Sequence, residues 1–313
     1  MSYFETLYKP CLLDRHKIKV VSQPEFIILV NTALAGSASD TMQLPIRGTN
    51  MTIDWGDGTV ETGITQIATP SSANWITHQY SDSGVYQIKI TGLDWIYFVN
   101  AGDRLKLLEI QNWGTGQWAL MQGAFGGCQN MTGTFTDVPD LSNITSMRSM
   151  FDGATSFNSD ISLWNTANVT DMGFMFRNAS NFNSDLSNWD VGNVTDMRSM
   201  LQQTVNFNSV ISGWNTANVT SMRSMFRLAS NFNGDISGWN TAKVMDMNFM
   251  FNQAPNFNQD LSGWCVEKIA SRPNDFDFAA NSWVYNTNGD TGSTDGVDPA
   301  TIINRPIWGT CPQ

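Results

Sequence analysis

Apolar residues recur at a period of 25 through the second half of the chain. The units begin at Asn143, Asn168, Asn193, Asn218 and Lys243, and each approximates N-V-T-D-M-x-x-M-F-x-x-A-x-N-F-N-x-D-I-S-x-W-N-T-A. Trp occupies positions 164, 189, 214, 239 and 264. Phe-Asn occupies 157/158, 182/183, 207/208, 232/233 and 257/258. Met recurs at 147, 172, 197, 222 and 247, and again three residues later. One such unit cannot bury its own apolar face, whereas stacked copies pack each aromatic and Met on its counterpart above and below. The M-x-x-M-F-x-x-A spacing predicts one or two helical turns, with the preceding Thr-Asp or Thr-Ser as N-cap. The D-I-S-x-W segment predicts a brief parallel strand. The Asn158 column predicts an interior hydrogen-bond ladder, because buried amides need partners. The aspartates at 160, 185, 235 and 260 read as turn or capping residues, a column that breaks at Val210.

The first half alternates apolar runs with turn signals and predicts an all-β domain over residues 24–100. The strand candidates are Phe26–Val30, Met51–Trp55, Val85–Ile90 and Trp95–Val99. The Trp55-Gly56-Asp57-Gly58 segment marks a turn between two of them. Asp54, Asp57 and His78 are expected to shape that turn and pack beside it, not to hold a metal. Residues 1–23 carry Lys9, Arg15, His16, Lys17 and Lys19, the one clearly basic stretch. They form either an arm that docks on a larger acidic assembly or a first strand with a solvated loop. Residues 284–300 are rich in Gly, Asn, Asp and Thr and read as a loop.

Charge and composition remove some functions. The formal net charge is −11, which disfavours a nucleic-acid partner. No apolar stretch approaches the ~20 residues of a membrane-spanning helix, so no membrane insertion is expected. The first residues lack the apolar core and cleavage site of a secretory signal. The four cysteines form no C-x-x-C pair, so zinc is not expected. Cys265 and Cys311 flank the C-terminal segment; they form a disulfide or remain separate thiols. With two histidines and no G-x-S-x-G or H-E-x-x-H motif, histidine-based catalysis has little to work with. No cofactor, metal or catalytic residue is expected, and the chain reads as a non-enzyme.

Two resemblances follow from these residues. The 25-residue unit resembles the BspA-like surface repeats, a variant of the leucine-rich repeats. The flanks Ile110–Ser142 and Arg305–Pro312 resemble that family's opening and closing segments. The W-G-D-G…H-x-Y…G-x-Y order (Trp55 to Gly58, His78 to Tyr80, Gly84 to Tyr86) resembles a PKD-type β-sandwich, a relative of the immunoglobulin fold. The implied architecture is mainly β with short helical turns. It runs as a 1–23 arm, a 24–100 sandwich, a 101–142 opening cap, a 143–267 solenoid of five repeats and a 268–313 C-terminal cap. The resemblance implies adhesion or binding to protein or matrix.

Because constant columns build the stack, specificity falls to variable ones. Arg148, Arg177, Arg198, Arg223 and Arg227 are expected on one side, with Phe174 and Phe249 in the same variable pairs. They either meet the carboxylates or phosphates of a host surface glycan or protein, or form a solvated stripe beside nearby aspartates. The leading expectation is a phage virion component: a capsid decoration, an appendage or a tail-associated adhesin. It would dock on other virion proteins through residues 1–23 or the sandwich. A secreted or cell-surface bacterial adhesin is the alternative, and a carbohydrate-active enzyme using paired carboxylates is a third reading.

Overall fold

The computed structural model describes residues 24–99, 101–280, 282–283 and 304–312. The 1–23 arm and the 284–300 loop lie outside the described residues. The described residues form strands and turns, with no helix among them. The chain is thus mainly β, and the expected short helical turns are corrected below.

Eight strands are present: β1 (Phe26–Asn31), β2 (Thr41–Leu44), β3 (Ile46–Asp54), β4 (Val60–Gln66), β5 (Ile76–Gln79), β6 (Val85–Ile96), β7 (Leu107–Asn112) and β8 (Thr132–Gly133). They form a six-stranded sheet in the order β4-β3-β6-β1-β7-β8 and a two-stranded sheet β2-β5. Phe26, Ile28 and Val30 of β1 alternate inward, as a half-buried strand requires. The runs at 85–90 and 95–99 fuse into the 12-residue β6, which pairs with β1 on one side and β3 on the other. The sheet continues past residue 100: β7 pairs antiparallel with β1, then parallel with β8. One continuous core therefore runs from Phe26 into the repeats.

The repeats stack coil on coil. Parallel bridges link Ser146, Asp171, Asp196, Ser221 and Asp246 in succession. Their place corrects the expectation of a strand at D-I-S-x-W; the bridging residue directly precedes the first Met. Within each M-x-x-M-F-x-x-A run, backbone bonds close over three residues, as in Met150 N–H to Met147 O at 3.1 Å and Ala154 N–H to Phe151 O at 3.0 Å. Alternate N–H groups leave the turn and donate to the next coil, as from Met147 to Asp171, Ser149 to Gly173, Phe151 to Met175 and Gly153 to Arg177.

A helix fails here for a backbone reason. The residue before the second Met has positive φ in every coil: Ser149, Phe174, Ser199, Ser224 and Phe249. So does the residue four further on: Gly153, Asn178, Gln203, Leu228 and Gln253. A left-handed residue interrupts the i→i−4 ladder and redirects its amides along the stack. The same rungs extend beyond the five repeats. Gly123, Phe125 and Gly127 donate to Arg148, Met150 and Asp152, while Phe249, Phe251 and Gln253 donate to Asn274, Phe276 and Phe278.

The Phe, Met and Trp columns are core. Phe157, Phe182, Phe207, Phe232 and Phe257 are fully buried, and successive rings lie 5.7–6.1 Å apart and near-parallel. The Asn column forms its ladder outside the core. Asn158 Oδ1 accepts the N–H of Asn183 at 2.8 Å, and the pattern repeats through Asn208, Asn233 and Asn258, all on the exposed face. The correction follows from alternation: with Phe pointing inward, its neighbour points outward.

The C-terminal closure is covalent and ionic. Cys265 and Cys311 form a disulfide across 46 residues. Asp277, fully buried, is paired with both Arg272 and Arg305. Closing a loop of that length restricts the unfolded chain by about 4 kcal/mol. Cys265→Ser is expected to lower stability by up to about that amount in denaturant unfolding, and reductant is expected to lower the wild type to the same level; a variant as stable as the oxidised wild type would show that the bridge does not act.

Candidate functional site

The W-G-D-G region is a turn with an aromatic buttress. Asp54 Oδ1 accepts Gly56 N–H at 3.0 Å, and Asp57 Oδ1 accepts Thr59 N–H at 2.8 Å. His78 Nε2 lies 2.8 Å from Asp57 Oδ2, and its ring stacks on Trp55 at 4.7 Å. Tyr80 donates its hydroxyl to the Trp55 carbonyl at 3.1 Å, and burial pushes that phenol well above its ordinary range. Each group is spent on the turn, and no cluster of three metal-ligating side chains occurs among the described residues.

The variable edge gathers most of the expected residues into two groups. In the first, Phe174 lies beneath two guanidinium groups, Arg148 at 4.6 Å and Arg177 at 4.7 Å. Arg148 also faces Asp171 at 3.7 Å and Asp196 at 3.5 Å. Arg177 grips Asp152 with two nitrogens, Nε at 2.9 Å and Nη2 at 2.5 Å. Arg198 joins through Asp196 at 2.6 Å. In the second, Arg223 stands 5.1 Å over Phe249 and 3.7 Å from Asp246. Arg227 donates to Asn252 instead. Four arginines thus face four carboxylates and the fifth faces an amide, so the edge is close to neutral. Asp152 shares its column with Arg177 and Arg227, whereas Asp171, Asp196 and Asp246 come from the column that bridges the coils; the sequence predicts nearby aspartates without singling out these four.

Those aspartates also shape the backbone. Asp171, Asp196 and Asp246 each accept the N–H two residues on, at 2.8–3.0 Å, which is a turn and not a helix cap. The outer column behaves alike: Asp160, Asp185, Asp235 and Asp260 accept from Ser162, Ser187, Ser237 and Ser262. Bonds from the serines hold the carboxyls of Asp140, Asp160 and Asp235 below the usual range. A depressed carboxylate stabilises the fold above its unfolded pKa of about 4 and loses that contribution as pH falls through the folded value. Melting temperature is therefore expected to be flat from neutral to mildly acidic pH and to fall below about pH 4; a maximum in strong acid would contradict this.

Sequence reading missed a buried ion pair, Asp103 with Lys106, both side chains fully buried and 3.6 Å apart. Asp103 accepts from the N–H groups of Ser37 and Gln43 and from the Ser37 hydroxyl, at 2.6–2.7 Å. Lys106 donates to the carbonyls of Ala38 and Thr41 at 2.8 and 2.7 Å. Burial lowers the Lys106 pKa against the pull of Asp103. The pair clamps the loop before β2 to the segment leading into β7.

No curated protein matches the chain, and no solved structure matches it. A family model does, over residues 97–203 and 183–286, which together cover more than half of the chain. The match begins just after β6 and takes in β7 and β8 of the sheet, the turn rungs, the bridging residues and both arginine–phenylalanine groups. That family is described as Mycoplasma protein of unknown function, DUF285, whose members are related to BspA-like surface repeats, and the chain belongs to it.

Proposed function

We propose that this is a non-enzymatic attachment protein displayed at an outer surface, in which a PKD-like β-sandwich carries a leucine-rich-repeat-like solenoid. The observation that supports the reading is the setting of Phe174 and Phe249. Both occupy the left-handed backbone position at φ 60° and 62°, where the other three coils carry Ser. A bulky side chain there is a conformational outlier, costing on the order of 1–2 kcal/mol. Neither ring enters the core; each stays partly exposed beneath guanidinium groups. A ring that costs backbone strain and fills no core space is explained by what it presents. Arginine and aromatic residues dominate the energetic centres of protein interfaces. The near balance of charge favours a protein partner over a polyanionic glycan.

Two settings fit. One is a phage particle, with residues 1–23 or the sandwich docked on other virion proteins. The other is a bacterial cell surface, which the Mycoplasma wording of the family description favours. Immunogold labelling of intact cells and of purified particles separates them, and a purely cytosolic signal would remove both. For the activity itself, labelled protein is expected to bind intact cells and to lose binding after mild surface proteolysis. Binding that survives proteolysis, or steady release of reducing sugar by the protein, would overturn the reading.

A further inference from the structure

The outer asparagine ladder is chemically uneven. In four coils the Asn after the buried Phe is followed by a residue with a side chain: Ser159, Ser184, Ser209 or Gln259. In the remaining coil Asn233 precedes Gly234. The sequence has one other Asn-Gly pair, Asn288-Gly289, which lies outside the described residues. Asn233 and Gly234 are both partly exposed, so water reaches them. The Gly234 N–H donates to no group among the described residues.

The Asn233 amide is also the most strongly polarised of the ladder. Its Oδ1 accepts from the backbone N–H of Asn258 and from Nε2 of Gln259, both at 2.9 Å. Gln259 Nε2 donates to the Asn233 carbonyl as well, at 3.0 Å, which fixes that side chain across the rung. Among the described residues, Asn158 and Asn208 each accept only the N–H of the next rung, from Asn183 and Asn233. Asn183 accepts from Asn208 and from the Ser209 hydroxyl at 3.2 Å, but Ser184 follows it. Two N–H donors on one oxygen draw electrons from Cγ and stabilise the oxyanion that forms when a nucleophile adds there. A following residue without Cβ leaves its nitrogen unshielded and its backbone free to turn towards Cγ. No other ladder asparagine combines the two features.

We propose that Asn233 is a site of self-modification, converting to aspartyl and isoaspartyl products through a succinimide. Solvent base takes the Gly234 N–H proton, the nitrogen bonds to Asn233 Cγ, and the Cγ–Nδ2 bond breaks as ammonia leaves. Water then adds to one of the two ring carbonyls and the C–N bond there breaks, leaving an aspartyl or an isoaspartyl link. Either product puts a new carboxylate on the ladder, two residues from Asp235. The isoaspartyl link also lengthens the backbone and disturbs the rung to Asn258. The site uses none of the arginine–phenylalanine residues, so the two stand or fall independently.

The test incubates the full chain at neutral and at mildly alkaline pH. Peptide mass spectrometry reads conversion at each ladder asparagine, and an isoaspartyl methyltransferase assay reads the isoaspartyl product. Asn233 is expected to convert at least about tenfold faster than Asn158, Asn183, Asn208 and Asn258, and faster still at alkaline pH. Gly234→Ser restores the residue that three other coils carry. It is expected to keep the wild-type melting temperature and to bring the Asn233 rate down to that of the other four. Gln259→Ala removes one donor, leaves the Asn258 N–H in place, and is expected to slow conversion several-fold in folded protein. A rate at Asn233 no higher than at the other ladder asparagines, or one that either substitution leaves unchanged, would overturn the assignment.

Discussion

Trp214→Ala is expected to lower the unfolding free energy by about 3–5 kcal/mol, among the largest effects of any single change in the stack. Trp214 is 4% exposed, its ring is stacked 6.0 Å from Trp239, and its N–H is bound to Leu186 O at 3.0 Å. Truncation removes the ring from between its neighbours and leaves the Leu186 carbonyl unpaired. The damage should be local first, because each coil touches only the coils beside it. Hydrogen exchange should show lost protection at the amides of coils 193–217 and 218–242 before those of the β-sheet. Loss below about 1 kcal/mol, or uniform loss across the chain, would mean that the coils are not coupled through this column.

Lys106→Met should cost about as much, about 3–5 kcal/mol, for a different reason. The substitution leaves Asp103 as an uncompensated charge with no solvent exposure, and it frees the carbonyls of Ala38 and Thr41. Denaturant unfolding gives the magnitude. Pairing Lys106→Met with Asp103→Asn should recover part of the loss, since the stranded charge is gone. A double variant no more stable than Lys106→Met would place the cost in the lost carbonyl contacts instead.

These two residues mark what the sequence could and could not disclose. Trp214 is legible because period 25 repeats its environment five times, so a core column stands out against variable ones. Asp103 and Lys106 sit in D-R-L-K, which reads as a solvated charged turn; only the approach of residues 36–43 buries them, and that is a tertiary event. The turns of the repeat were misread for a subtler reason. A run of three-residue turns places Met, Met, Phe and Ala at the same spacing as a helix does. What separates the two is the left-handed backbone at Ser149, Phe174 and their equivalents, and of the ten such positions only Gly153 carries the residue that usually signals it. The Asn ladder was seen but placed inside, although strict alternation with a buried Phe puts it outside. At the variable edge the arginines and the presence of nearby aspartates are visible in the sequence, but which aspartate meets which arginine is set by the stacking.

Constant columns hold the stack, and the strained variable positions are proposed to make contact with a partner. The double variant Phe174→Gly/Phe249→Gly separates the two most directly. Glycine takes the left-handed backbone without cost, so the expected result is a melting temperature equal to or above wild type and a loss of cell binding of at least about tenfold. Wild-type binding in that variant, or a fall in melting temperature comparable to that of Trp214→Ala, would contradict it.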